Sequence, residues 1–226
     1  MNKTTSPMKM AVVLTLGIII ILTLLILLKN YSTTPEAVVF DEQPPISGQP
    51  LLGNVDAPVS VVEFGDFKCP SCKAWGEAVL PLLEEEYINN GSVNFSYVNV
   101  LFHGEESEIG SLAAESVLKQ SPSDYWTFHK QLFEAQPESQ NHDNLWLTID
   151  AVVDIANGIP SLDSSLLRES IEQQDEIAEV NKDTQLVNEY NVTSTPTVMI
   201  NEKVVEDPFD YEMIKSIIEE ELQEHE

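Results

Sequence analysis

The sequence predicts an α/β fold: a βαβ…ββα sheet scaffold interrupted once by a block of helices. Three observations carry this. The apolar run Val59-Ser60-Val61-Val62-Glu63-Phe64 is followed by a helical pattern and then by a segment that alternates at period two. The stretch from about 105 to 190 repeats apolar residues at helical spacing and is far too long for a loop. A hairpin-like segment and an amphipathic helix close the chain.

Taken in order, Met10 to Leu28 are 19 consecutive uncharged positions, mostly Ile, Leu and Val. At ~1.5 Å per residue such a helix just spans a bilayer's hydrocarbon layer. Lys3 and Lys9 precede it and Lys29 closes it, which favours a cytoplasmic amino end and an external remainder. A cleaved signal peptide is the alternative. Its shorter apolar region would end in small residues, and Leu27-Leu28-Lys29-Asn30-Tyr31 offers none. Residues 1–30 are therefore expected to be a cytoplasmic end and transmembrane anchor at the cell membrane. The Ser/Thr/Pro-rich residues 31–50 are expected to be a flexible tether.

Val59 to Phe64 is the first strand expected. Cys69 to Tyr87 reads as a helix with Trp75, Val79, Leu82 and Leu83 on one side, kinked at Pro81, where a backbone donor is missing. Val93 to Leu101 is the second strand, and a helix between two strands implies a parallel crossover. Ile109, Leu112, Ala113 and Val117 form one helical face, and Tyr125, Phe128, Leu132 and Phe133 form another. Leu145, Ile149, Val152, Val153 and Ala156 form a third, and Leu166 to Tyr190 reads as a long polar-rich helix. Val198 to Val205 folds back around Asn201-Glu202, and 210–222 is the closing helix.

The chain carries a net charge of −27; beyond residue 29 it has 8 basic against 38 acidic residues. Such a surface repels nucleic acid and anionic headgroups. It suggests a saline or alkaline exterior and could hold a hard cation such as Ca²⁺, although no D-x-D-x-D-G loop is present.

The only two cysteines stand in Cys69-Pro70-Ser71-Cys72, at an expected helix start with proline at its first position. Helix N–H groups and dipole there favour the first sulfur as thiolate, so the pair reads as a thiol–disulfide redox site. A structural disulfide this short would remove little chain entropy. Zinc would need about four ligands, and His103, His129, His142 and His225 lack paired spacing. A structural disulfide and two unrelated buried thiols stay open as alternatives.

Asp56-Ala57-Pro58-Val59, Glu63-Phe64 and Phe67-Lys68-Cys69-Pro70-Ser71-Cys72, joined to Thr195-Pro196 before the hairpin, resemble the DsbA-like thiol:disulfide oxidoreductases of the thioredoxin fold. With the anchor, they look like the BdbD-type proteins of Gram-positive bacteria. The resemblance covers about residues 50–222. It implies a thioredoxin-fold domain at 51–104 and 190–226 with an inserted helical domain at 105–189. It makes Cys69 the attacking, solvent-facing thiol and Cys72 the resolving one. It makes Thr195-Pro196 a cis-proline loop against the pair, and Glu63 a buried acid behind it. A carboxylate in an apolar strand should have a raised pKa and could relay protons to Cys72; a strand-end Glu63 facing solvent is the alternative.

Ser71 cannot supply the charge that a histidine there might, but Lys68 and Lys73 bracket the motif and would make the site a small positive island; two solvated lysines are the plain alternative. The resemblance implies disulfide donation to exported proteins with reduced cysteines, and reoxidation by a quinone-reducing membrane oxidoreductase of the DsbB type. No cofactor beyond the redox-active disulfide is required. The alternatives are a thiol reductant for cytochrome maturation and a non-enzymatic anchored interaction module.

Overall fold

The computed structural model describes residues 11, 14–23, 38–138 and 144–224. It divides into two units, residues 1–37 and 38–226. In the first unit residues 14–23 are helical. Among the described residues no helix is long and apolar enough to cross a membrane, and the remainder of the expected 10–28 span lies outside them. The first part of the expected tether, 31–37, also lies outside them.

The second unit is built on a five-stranded sheet of order β1-β3-β2-β4-β5. The strands are β1 (Leu51–Gly53), β2 (Val59–Gly65), β3 (Val93–Asn99), β4 (Thr197–Ile200) and β5 (Lys203–Val204). β2 and β3 pair in parallel, with Val61 opposite Phe95 and Glu63 opposite Tyr97, and the other pairings are antiparallel. Between β2 and β3 run α1 (Pro70–Ala78), the short α2 (Leu80–Leu83) and a π turn, Glu84–Ile88. Between β3 and β4 come α3 (Glu105–Gln120), α4 (Tyr125–Glu134), α5 (Ile149–Asn157), α6 (Ser164–Gln173) and α7 (Ile177–Glu189); α8 (Tyr211–Glu224) ends the described chain.

The period-two alternation of β2 decides what lies where. Val59 and Val61 face one side, packing with Trp75, Leu83, Phe95, Val198, Ile214 and Ile218. Val62 and Phe64 face the other, against Val98, Leu186, Val187, Tyr190 and Met199. Helices α1 and α8 thus cover one face and α7 the other. Glu63 shares the parity of Val59 and Val61, so it points towards α1. A third cluster joins α3–α7 to the active-site loop through Phe67, Cys69, Cys72 and Tyr97. Gly65, at the end of β2, is demanded by this packing, because an added Cβ would stand 2.4 Å from the Tyr97 ring.

Four expectations need correction. Residues 38–50 are packed rather than a free tether: Val39 bridges Lys203, Phe40 N–H donates to the Glu202 carbonyl at 2.9 Å, and the Phe40 and Tyr190 rings lie 5.0 Å apart. β5 is an edge strand, and its unpaired backbone groups recruit this segment. The single helix expected over 69–87 breaks at Val79, where φ is −106°, just ahead of Pro81 and its missing donor. Leu145 is 82% exposed and lies outside α5, which begins only at Ile149, after the capping residue Thr148. The long helix expected from Leu166 to Tyr190 is two helices, α6 and α7, broken at Gln174 in a left-handed conformation (φ 56°). β1 went unread because three residues carry too little alternation to register.

Candidate active site

Helix α1 starts where the sequence places it, with Cys69 as the capping residue in extended backbone and Pro70 at the first helical position. Fixed φ at Pro70 favours that start, and the missing proline donor is one the first turn leaves unbonded anyway. Pro70 is half-buried and Ser71 exposed. Cys72, two residues further into the helix, is turned inward and fully buried. Cys69 is 7% exposed, so it reaches solvent only through a narrow opening, less than the open position expected. Both are free thiols.

The two sulfurs are electrostatically unequal. The Cys69 thiol is lowered to about 5, chiefly because the Cys72 thiol donates a hydrogen bond to it. The Thr195 side chain and the backbone N–H groups of Cys72 and Ser71 add to this, against the opposing effect of burial. In the thiol form Cys69 also donates to the Thr195 carbonyl at 3.4 Å, a bond that ionisation gives up. Burial pushes the Cys72 thiol up, helped by its bond to Cys69 and, when Glu63 is ionised, by that carboxylate's charge. One N–H, from Asp66, opposes this at 3.4 Å from the Cys72 sulfur.

Glu63 is buried in mid-strand, not at a solvent-facing end. Burial raises its carboxyl well above the usual range, the charge on Cys69 raises it further, and a hydrogen bond with Cys72 works the other way. Its Oε1 has no protein partner. Thr195 and Pro196 lie beside the pair, joined by a cis peptide bond, with Pro196 buried. The fold therefore brings Cys69, Cys72, Glu63, Thr195 and Pro196 together from three separate segments.

The two lysines do not form a positive island at the sulfurs. Lys68 is buried; its ammonium bonds the Glu106 carboxylate and, at 2.7 Å, the Asn144 carbonyl. Glu106 in turn accepts from the N–H groups of Trp146 and Leu147, both at 2.9 Å. Lys73 turns away to the Glu134 and Gln136 carbonyls at 3.4 and 3.3 Å. A buried ammonium must be paired, and α3 supplies the partner.

Residues that motif reading missed hold the loop. Asp66 is fully buried, and its carboxylate accepts from Lys68 N–H at 2.8 Å, Phe102 N–H at 3.1 Å and the Ser107 hydroxyl at 2.8 Å, with His103 Nδ1 at 2.7 Å. Buried Gln136 donates to the carbonyls of Phe67 and Cys69 at 2.8 and 3.2 Å. The local bond from Asp66 to the N–H two residues on is an Asx turn, which Gly65-Asp66 could have signalled. Nothing in the sequence marks Gln136, which reaches the loop only through tertiary packing.

The chain matches the thioredoxin family model over residues 46–220. It is 42% identical to disulfide bond formation protein D of Bacillus subtilis over 180 residues, 80% of each chain. It is 35% identical to a probable disulfide bond formation protein D of Bacillus cereus, over 78% of this chain and 80% of that one. Its structure superposes on oxidised BdbD from Bacillus subtilis with a TM-score of 0.78 and 41% identity, over 83% of this chain and 99% of that one. Against Chlamydia trachomatis DsbA the TM-score is 0.68 at 20% identity, over 78% and 92% of the two chains, a likeness of fold alone. With two unequal thiols at a helix start and these relatives, the chain belongs to the thioredoxin family and is a DsbA-like, BdbD-type thiol:disulfide oxidoreductase.

Proposed function

We propose that the protein donates disulfides to exported proteins through Cys69 and Cys72, from an external position anchored by residues 10–28. A substrate thiolate attacks Cys69 Sγ, the Cys69–Cys72 bond breaks, and Cys72 leaves as a buried thiolate. Protonated Glu63, hydrogen-bonded to Cys72, supplies the proton that this buried sulfur needs. The substrate's second thiolate then attacks its own sulfur in the mixed disulfide and expels Cys69 as a thiolate. Thr195 and Pro196 border the reacting sulfur and offer backbone for an extended substrate. A quinone-reducing membrane oxidoreductase of the DsbB type accepts the electrons and restores the disulfide.

The observation that carries the oxidising direction is the Cys69 thiol held to about 5 beside a Cys72 thiol pushed up. A stabilised thiolate favours the reduced state and leaves readily. Equilibration with glutathione tests this. A potential between about −180 and −120 mV supports donation, whereas one near about −270 mV points to the reductant reading.

The Ca²⁺ that so acidic a domain could hold has a set of buried oxygen donors to consider among the described residues. Among the described residues no group of three or more His, Cys, Asp or Glu side chains could hold a metal. Glu115 and Asp183 nonetheless flank Asn99, which donates to them at 2.8 and 2.7 Å, and Gln49 donates to Asp183 at 2.6 Å. The side-chain amide oxygen of Asn99, Oδ1, is buried without a protein partner. Burial pushes the Glu115 carboxyl up to about 8, so a bound cation would have to displace its proton. Calcium should then raise the melting midpoint more at pH 8.5 than at pH 6; an equal or absent effect places any calcium elsewhere.

A further inference from the structure

Asp66 touches neither sulfur with its carboxylate, yet its backbone touches the reacting pair on both sides. Its N–H donates to Cys72 Sγ at 3.4 Å, and its carbonyl accepts from the Cys69 N–H at 2.9 Å. The carboxylate faces away and is held by donors from two places. Lys68 N–H is local, while Phe102 N–H, the Ser107 hydroxyl and His103 Nδ1 belong to the connection from β3 into α3 and to the first turn of α3. Ser107 is itself fixed, since its hydroxyl also accepts from His103 N–H at 3.0 Å. The residue is fully buried, so water cannot replace a lost acceptor without rearrangement.

We propose that Asp66 is a positioning residue for thiol–disulfide exchange, its carboxylate pinning the 65–68 loop to the start of α3 so that its peptide groups hold Cys69 and Cys72 in register. This deepens the disulfide-donation reading and rests on it. A neutral amide cannot do the same work. Asn at this position carries one acceptor oxygen and an NH₂ group, so at least one of the four donors faces another donor. The nearest such donor on the loop itself is Lys68 N–H, one residue before Cys69.

The geometry and plain electrostatics predict opposite signs, which makes the proposal decidable. As a nearby negative charge, Asp66 disfavours the Cys69 thiolate, and removing that charge would lower the Cys69 pKa. As a clamp, it keeps the Ser71 and Cys72 N–H groups and the Cys72 thiol aimed at Cys69, and removing it raises the pKa.

The experiment uses the full chain with Asp66→Asn, Ser107→Ala and the parent. The Cys69 thiolate is titrated by ultraviolet absorbance, and the potential is measured against glutathione. Asp66→Asn is expected to raise the Cys69 pKa by about one unit and to lower the equilibrium constant for reduction of the Cys69–Cys72 disulfide by glutathione about tenfold, making the potential more negative by ~30 mV. Ser107→Ala, which removes one donor and leaves the loop sequence intact, should shift both in the same direction by less. Should Asp66→Asn not fold, the Ser107→Ala pair of shifts decides alone. A lowered pKa, or a lower melting midpoint with unchanged pKa and potential in both variants, overturns the proposal. A parent whose Cys69 titrates near ~8.5 would instead sink the donation reading itself.

Discussion

Glu63→Gln separates the buried acid from every other feature of the site. Burial raises the Glu63 carboxyl in the fold, whereas it ionises freely when the chain unfolds. The sign follows from linkage. A carboxyl whose folded pKa is raised contributes its full stability below its unfolded value, and that stability drains away as pH rises towards the folded value. Above an unfolded pKa of about 4.3 the loss is ~1.4 kcal/mol per pH unit for as long as the folded carboxyl stays neutral. Glutamine keeps the shape and removes this linkage, but its NH₂ meets a position where Oε1 already lacks a partner, which costs ~1–3 kcal/mol. Reduced Glu63→Gln should therefore be less stable than the parent at pH 4 and should gain on it steadily as pH rises to 7.5. At ~2–4 °C per kcal/mol the melting-midpoint difference should move by about 3–6 °C per pH unit while the folded carboxyl stays neutral. The same variant should be re-reduced more slowly by substrate thiols at pH 6, where Cys72 loses its proton donor. A midpoint difference that stays constant from pH 4 to 7.5 would show that Glu63 is ionised or solvated in the fold, and the proton-relay argument would fall with it.

Cys72→Ser should accumulate mixed disulfides with exported proteins through Cys69, and Cys69→Ser should accumulate none; non-reducing gels with mass spectrometry read this, and the reverse pattern would exchange the two roles. The Cys69 pKa, lowered to about 5, should make the reduced protein melt above the oxidised one at pH 7. A thiol depressed in the fold lends stability that is full above its unfolded value of about 8.5 and is lost as pH falls through 5. The advantage should therefore shrink between pH 7 and pH 4.5, and an oxidised form that melts higher at pH 7 contradicts this. Lys73→Gln should leave the Cys69 titration where it is, since Lys73 bonds carbonyls away from the sulfurs. Lys68→Met should lower the midpoint in denaturant melts by leaving half-buried Glu106 without its cation. A Cys69 shift of a full unit in Lys73→Gln would restore the positive island.

Much of this molecule is legible from local chemistry. The β-branched run at 59–64, the alternation at 93–99 and the turn at Asn201-Glu202 are properties of short segments, and so is the helix start at Pro70. Each element appears where its own residues favour it, because strand and helix periods are set by the backbone. The pairing of Cys69 with Cys72 is equally local, since two intervening residues on a helix leave the sulfurs within reach. The parity of Glu63 with Val59 and Val61 placed its carboxyl on the α1 face.

What tertiary structure alone decided is every property that depends on partners far along the chain. Lys68 reads as an exposed cation beside the sulfurs until Glu106 and Asn144 are folded onto it, 38 and 76 residues away. Residues 38–50 read as tether because their polarity is real, yet the open edge of β5 takes their backbone. Asp66 and Gln136 carry no motif beyond a turn, but burial forces the Asp66 carboxylate and the Gln136 amide nitrogen to find partners, and these form the frame around the reacting pair. Sequence patterns record what a residue does with its neighbours in the chain. Desolvation and hydrogen-bond satisfaction depend on what arrives from elsewhere, and these set the inequality of the two thiols.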